Sequence, residues 1–320
     1  MTTKIDNSPR VRLGPHRVAL FAAVFTWPLL LVGGSVTVYR VGMAVPDWPT
    51  TFGINMFLYN SWNASWGVFI EHGHRLYGAA VGLACVVLTL WFAVAERRTW
   101  MKALGALALA AVIGQGVLGG YRVRHNSADL ALIHGCTAQA FFALMVALVV
   151  LTGRDWLTAG PRQADPAHLR RHSAILLALI YVQIVVGALL RHRGENLIVL
   201  IHAGLAIAVW GYVAALTWRI RRCRAEVPAL VPSARGMILA ASAQVVLGVV
   251  AWAMLLPFDG VARTVTGPQA LIRIGHQGVG ALLLASAVVL TLRTYRHLAA
   301  SGSAAVSESA SSVQSLEVAR

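Results

Sequence analysis

Four histidines carry the chemistry that this sequence can do: His74, His134, His202 and His276. Each falls about five to seven residues into a long apolar run, entered from the same side. At 1.5 Å per helical residue, all four sit at one shallow depth, roughly 8–10 Å in. A polar side chain inside an apolar span is costly and is usually functional. The chemistry of imidazole there is ligation. Zinc would take three or four ligands at one centre, commonly with carboxylate or thiolate. Haem iron takes axial histidine, so that two histidines on two helices clamp one haem and four serve two. Small residues favour haem: Gly73, Gly78, Gly135, Gly204, Gly275, Gly278 and Gly280 cluster beside the histidines and leave room for a flat macrocycle. Spacing alone leaves open which histidine faces which.

Charged residues flank these ligands unevenly. Glu71 lies three residues before His74, on the same helix face. The matching positions are Ala131, Val199 and Arg273, so only the first of the four histidines has a carboxylate there. At this depth a carboxyl group is suited to relaying protons or steadying a charged intermediate. A salt bridge with Arg75, or a hydrogen bond to a histidine, is its structural role. Arg75, Arg122, Arg124, Arg191, Arg193 and Arg273 stand at the same boundary. They suit haem propionates, which prefer guanidinium partners, and equally suit snorkelling to lipid head groups. The other histidines read as solvated or interfacial: His72, His125 and His192 on this side, and His16, His168, His172 and His297 on the other or at helix ends.

Eight apolar runs must position these residues: about 18–39, 67–95, 101–121, 129–152, 172–190, 197–218, 234–256 and 269–292. Each is near the ~20 residues needed to cross a bilayer, and lipid offers the backbone no partners, so they should be helices. The expected fold is an all-α integral membrane protein with eight transmembrane helices. Composition agrees, with 58% hydrophobic and 12% charged residues, about half the usual charged share. The net charge of +15 invites nucleic acid, but its placement argues against it. Of the 27 Lys and Arg, 19 fall in segments on the side away from the four histidines and 8 on the histidine side. That bias puts both termini in the cytoplasm. Cys85 and Cys136 lie in spans and Cys223 in an inner loop, so no disulfide is expected. The first run is long enough to span and stay, unlike a cleaved signal, and the sequon Asn63-Ala64-Ser65 carries little weight.

The polar stretch 153–171, with Gly160, Pro161 and Pro166, divides the chain into halves. The expected layout is a cytoplasmic segment 1–17, a four-helix half 18–152, a linker 153–171, a second four-helix half 172–292 and a disordered tail 293–320. The halves look related. Gln115-Gly116-Val117-Leu118-Gly119 in the third span matches Gln183-Ile184-Val185-Val186-Gly187 in the fifth, each Gln lying 19 residues before a histidine. Gln244-Val245-Val246-Leu247-Gly248 repeats the pattern in the seventh span, and the first has only Gly33-Gly34. This reads as an internal duplication, giving two related four-helix bundles.

At these residues the sequence resembles the haem A synthase family. Glu71-His72-Gly73-His74-Arg75 fits that family's Glu-x-x-His-Arg element, and Pro46-Asp47-Trp48-Pro49 its first-loop Asp-Trp motif. Gln115 to Val123, followed by Ile133-His134-Gly135, looks like its third and fourth helices, and His202 and His276 like its second histidine pair. The resemblance implies oxidation of the C8 methyl of haem O to a formyl group, giving haem A for cytochrome oxidase. It implies His74 and His134 on a substrate haem O, His202 and His276 on a resident haem b, and Glu71 assisting the oxidation. It further implies a multi-pass protein of the bacterial inner membrane, with haem O synthase and oxidase assembly factors as partners and an electron donor still to be identified. Many bacterial members carry cysteine pairs in outer loops and this chain has none there, so any electron relay by such cysteines does not transfer to it. Two rivals stand beside this reading. One is a di-haem cytochrome b electron carrier, which four ligands at one depth disfavour for transfer across the membrane. The other is a repeat-built transporter, whose histidines would line a path instead of aligning in depth.

Overall fold

A computed structural model describes residues 13–254 and 264–299. The helices are α1 (Leu13–Val38), α2 (Trp66–Ala95), α3 (Thr99–Arg124), α4 (Ala128–Thr152), the short α5 (Arg154–Thr158), α6 (Leu169–Arg193), α7 (Asn196–Arg222), α8 (Val231–Ala253) and α9 (Gly267–His297). All but α5 are long and apolar enough to cross a bilayer. They outrun the expected spans by a few residues at most ends because the apolar code stops where head groups begin, while helical hydrogen bonding continues. Large apolar side chains point outward, with Val94 89%, Leu239 71% and Leu200 69% exposed. In water such faces would be a liability; against hydrocarbon they are not. The chain is a multi-pass membrane protein.

Local signals set where the histidine-bearing helices begin. Ser127 caps α4 by accepting from the Leu130 N–H, and Thr266 and Gln269 form a reciprocal capping box at the start of α9. Gly194, at φ +71°, ends α6 in the left-handed conformation that a helix stop requires. Asn126, at φ +44°, makes the equally tight turn between α3 and α4. Short turns force α3 and α4, and α6 and α7, into antiparallel hairpins.

Within residues 13–152, α1 packs on α2 and α4, α2 on α3, and α3 on α4. From 169 onward, α6 packs on α7 and α9, α7 on α8, and α8 on α9. Each set has its own buried apolar cluster, one around Leu88, Phe92, Met101 and Met145, the other around Leu176, Val213, Leu216 and Met237. The sets also join: α9 packs on α1 and α4, and α4 on α6, around Leu30, Phe142 and Ala281. The Trp27 indole donates to the Gly278 carbonyl across this seam at 3.0 Å.

The polar connection is not a free linker. Asp165 accepts from the backbone of Leu169 and Arg170 at the start of α6, and Gln163 exchanges backbone hydrogen bonds with His297 and Ala299. The Arg296 guanidinium donates to the carbonyls of Trp156, Ala159 and Gly160. So α9 continues five residues past 292, where a disordered tail was expected to begin, because these carbonyls need the donors it carries. The tail from Ser301, most of the N-terminal segment 1–17, and Arg263 lie outside the described residues.

Candidate functional site

The four histidines meet in two pairs. The ring centres of His74 and His134 are 6.5 Å apart and those of His202 and His276 are 6.3 Å apart, each pair close to perpendicular. His134 and His202 lie six residues after the first residue of their helices, His74 eight and His276 nine. This is slightly deeper than read from the apolar runs, because the helices start one or two residues earlier.

Each histidine leans on a glycine of the preceding long helix. A β-carbon added at Gly33, Gly119, Gly187 or Gly248 would stand 3.0, 3.2, 2.9 or 3.0 Å from the Cε1 of His74, His134, His202 or His276 respectively. The hairpins explain the recurrence. Gly119 and His134, like Gly187 and His202, are 15 residues apart across a tight turn, which brings them level. Gly33 therefore does for His74 what the more obvious Gln-x-x-x-Gly segments do for the other three. The glutamines four residues earlier hold the rings or their helix. The Gln183 amide donates to His202 Nδ1 at 3.1 Å and to its carbonyl at 2.9 Å. Gln244 Nε2 is 3.3 Å from His276 Nε2, and Gln115 donates to Thr137 on α4. The matching position on α1 is Leu29, so that His74 has no amide partner of this kind.

These residues fit haem better than zinc. Among the described residues no group of three or more His, Cys, Asp or Glu could hold one metal ion. Two imidazoles on opposite sides of one metal stand about 6 Å apart centre to centre, given roughly 2 Å per metal–nitrogen bond, and both pairs meet that spacing. Nδ1 of His74, His134 and His276 is buried without a hydrogen-bond partner, a cost that ligand binding relieves. Gly73, Gly78, Gly135, Gly204 and Gly275 face open space. Gly278 and Gly280 do not: added β-carbons there would strike Leu31 and Gln244. Those two serve helix packing and not a macrocycle.

Glu71 is only 2% exposed. Its Oε1 meets Arg75 at 3.0 Å and Arg122 at 3.8 Å, and its Oε2 accepts the Val45 N–H at 2.9 Å. The salt bridge with Arg75 is thus present. Arg75 also donates to the carbonyls of Val45, Asp47 and Thr50, and Arg122 to that of Gly42. Together they bolt the loop 40–55 over the first pair. Within the loop, Thr50–Thr51 and Ile54–Asn55 form a two-residue hairpin, β1 and β2. Burial would raise the Asp47 pKa, but hydrogen bonds from Gly53 N–H, Thr50 hydroxyl and Phe52 N–H outweigh it and hold it down to about 2. Asp47 is therefore the loop's own fixed anion. Trp48 lies flat against α3, where only a glycine fits: a β-carbon on Gly120 would fall 2.2 Å from the indole.

His72 departs from its expected interfacial role. It is fully buried, 3.1 Å from the Thr51 hydroxyl and edge-on to Tyr59. The loop residue that meets it, Thr51, lies 21 residues earlier in the chain, a contact that no helical spacing announces. The six arginines separate likewise. Arg75 and Arg122 are engaged as above, exposed Arg193 pairs with Asp129 at 2.8 Å, and Arg124 is exposed. Arg191 donates to Gln277, whose own amide donates to the Leu30 carbonyl, and neither Arg191 nor Arg273 has a carboxylate partner among the described residues. Arg191 stands in the last turn of α6 and Arg273 on α9, three residues before His276.

The chain is similar to known proteins. Residues 16–199 match the family model of a cytochrome oxidase assembly protein, COX15-CtaA. That segment holds Glu71, His74 and His134 and ends before His202. A protein of Methylobacterium radiotolerans named heme A synthase is 28% identical over 233 residues, covering 62% of this chain and 60% of that protein. One of Methylorubrum populi with the same name is 28% identical over 225 residues, 58% of each. A third, of Lysinibacillus sphaericus, is 29% identical over 141 residues, 41% of this chain and 44% of its own. The matches thus span about half of these relatives' length. With more than half of the chain matched, and the matched helices carrying the first histidine pair, the chain belongs to the COX15-CtaA family of cytochrome oxidase assembly proteins.

Proposed function

We propose that this protein is a haem A synthase, oxidising the C8 methyl group of haem O to a formyl group. The observation that carries the reading is the pair of facing-histidine sites at one end of the helices, of which only the first has a carboxylate beside it. His74 and His134 hold the substrate, haem O, and His202 and His276 hold a resident haem b. Haem b supplies one-electron redox chemistry when bound; everything else is the work of the chain. The glycines let the rings approach the adjoining helices, and Gln183 and Gln244 fix two of them in orientation. Arg191 and Arg273, unopposed by carboxylate among the described residues, receive the propionates of the second haem. Arg75 and Arg122 are committed to Glu71 and the loop, which excludes water from the first site. Glu71 sits where it can hold charge opposite a developing cation or take a proton from the substrate's reacting edge.

Supply of haem O makes haem O synthase a partner by reaction order, and the product is destined for cytochrome oxidase. The test is pigment extraction from cells that express the chain with a haem O source: haem A appears under this reading. Protein carrying two b-type haems, with haem O left unconverted, would favour the rival di-haem electron carrier. That rival is the weaker one because both pairs lie at the same end, which leaves the membrane unbridged.

We read the chain as a protein of the bacterial inner membrane, as its family resemblance implies, with both termini cytoplasmic because most of its Lys and Arg lie on the side away from the four histidines. Reporter fusions after Arg97 and after Asn126 should then report opposite sides, the first cytoplasmic. Equal signals at both positions would reject the map.

A further inference from the structure

A cavity of about 540 Å³ opens between α1, α2 and α9 beside the first histidine pair. It is not the space between His74 and His134. Its α2 wall includes Gly73 and Tyr77, which bracket His74 along the helix, its α1 wall Val32 and Ser35, and its α9 wall Leu271 and Ile274. On α9 the wall residues lie on the face opposite His276, since residues 274 and 276 are about 200° apart on a helix. The cavity is therefore adjacent to the first site and turned away from the second.

Its chemistry is that of a hydrocarbon slot. No acid, base or charged side chain lines it. The Ser35 hydroxyl is already spent on the Leu31 carbonyl of its own helix, which leaves the hydroxyls of Tyr39 and Tyr77 and the indole N–H of Trp66 as the polar side-chain groups. A quinol oxidised here would need a proton acceptor, and none lines the walls. The volume lies within the range of small-molecule sites and suits a chain of about fifteen carbons. Gly73, next to His74, presents no side chain, and a β-carbon there would meet nothing within 4 Å, so the cavity has open space at this position.

We propose that this cavity receives the isoprenoid side chain of the substrate bound at His74 and His134. The inference rests on the reading of that pair as the haem O site. Haem O and haem B share the tetrapyrrole, propionates and iron, but haem O carries a farnesyl-derived chain where haem B has a vinyl group. The cavity thus selects the substrate of the first site by its tail. This cavity turns away from the second site, which takes the tailless haem.

The experiment fills the slot from two independent walls, with Ser35→Phe and Leu271→Trp, and titrates each purified full-length variant with haem O and with haem B. Neither residue is a histidine of either pair or one of the glycines on which those histidines lean. The expected result is that affinity for haem O at the first site falls about tenfold or more, because apolar burial of the tail is lost, while affinity for haem B changes less than twofold. Haem content at the second site should stay constant. Equal loss of both haems, unchanged haem O binding in both variants, or a wild-type protein that does not prefer haem O over haem B would each overturn the proposal. Retention of a phospholipid by the wild type and its loss from both variants, with haem O affinity unchanged, would assign the slot to a lipid acyl chain and overturn it equally. Failure of the wild type to bind either haem at His74 and His134 would instead remove the underlying site assignment, and is told apart by that missing first-site spectrum.

Discussion

Glu71→Gln is expected to leave the protein folded and loaded with haem while the yield of haem A per bound haem O falls by roughly a hundredfold or more, the scale of a lost proton-transfer group. Glutamine keeps the size of the side chain and can still accept the Val45 N–H through its carbonyl oxygen. It removes the negative charge that Arg75 and Arg122 share. Breaking a buried ion pair by neutralising one partner is destabilising, and here the loss is cushioned because Arg75 keeps its three backbone carbonyl acceptors. A stability cost on the order of 2 kcal/mol follows. The two effects separate in one preparation if haem occupancy, thermal midpoint and product are measured together. A Glu71→Asp variant sharpens the distinction: it keeps the charge but shortens its reach. If Glu71 serves only to pin the loop 40–55, Glu71→Gln should lose haem or stability and keep its product per bound haem. That result would remove the carboxylate from the chemistry.

His276→Ala should abolish the low-spin haem of the second site. Removing a direct ligand costs more than the ~10–100-fold in affinity that loss of an outer-sphere partner costs, so haem content at that site should drop at least tenfold. His202→Ala should do the same, because the two ring centres stand 6.3 Å apart as one pair. The structure adds a control that spacing did not supply: His74→Ala should leave the second-site spectrum intact, because its ring pairs with His134. Difference spectra of the three purified variants read this directly. A second-site haem lost equally in His74→Ala and His276→Ala would mean that ligands are drawn from both halves, against the ring geometry.

The sequence alone determined the eight spans, because a bilayer demands about twenty apolar residues and internally satisfied backbone for each. Their ends were less legible, since caps such as Thr266 with Gln269 lie outside the apolar code. It also determined the four histidines, because polar residues at one depth in hydrocarbon stand out against an apolar background. The Gln-x-x-x-Gly repeats before His134, His202 and His276 were equally visible. Their purpose was not: that each glycine admits a ring, and that Gly33 does so for His74 without any glutamine, depends on which helices are neighbours. Tertiary structure also decided which histidines pair, since one depth is compatible with every pairing and only helix packing selects one. It sorted the arginines, which look alike in sequence, into those committed to Glu71 and loop carbonyls, one paired with Asp129, the exposed Arg124, and two without a carboxylate partner among the described residues. It buried His72 under a loop whose closure rests on Arg75, Arg122 and Trp48, contacts between segments more than twenty residues apart. The cavity beside Gly73 was beyond the sequence for the same reason: its three walls come from α1, α2 and α9, and a void between helices has no residue of its own to announce it.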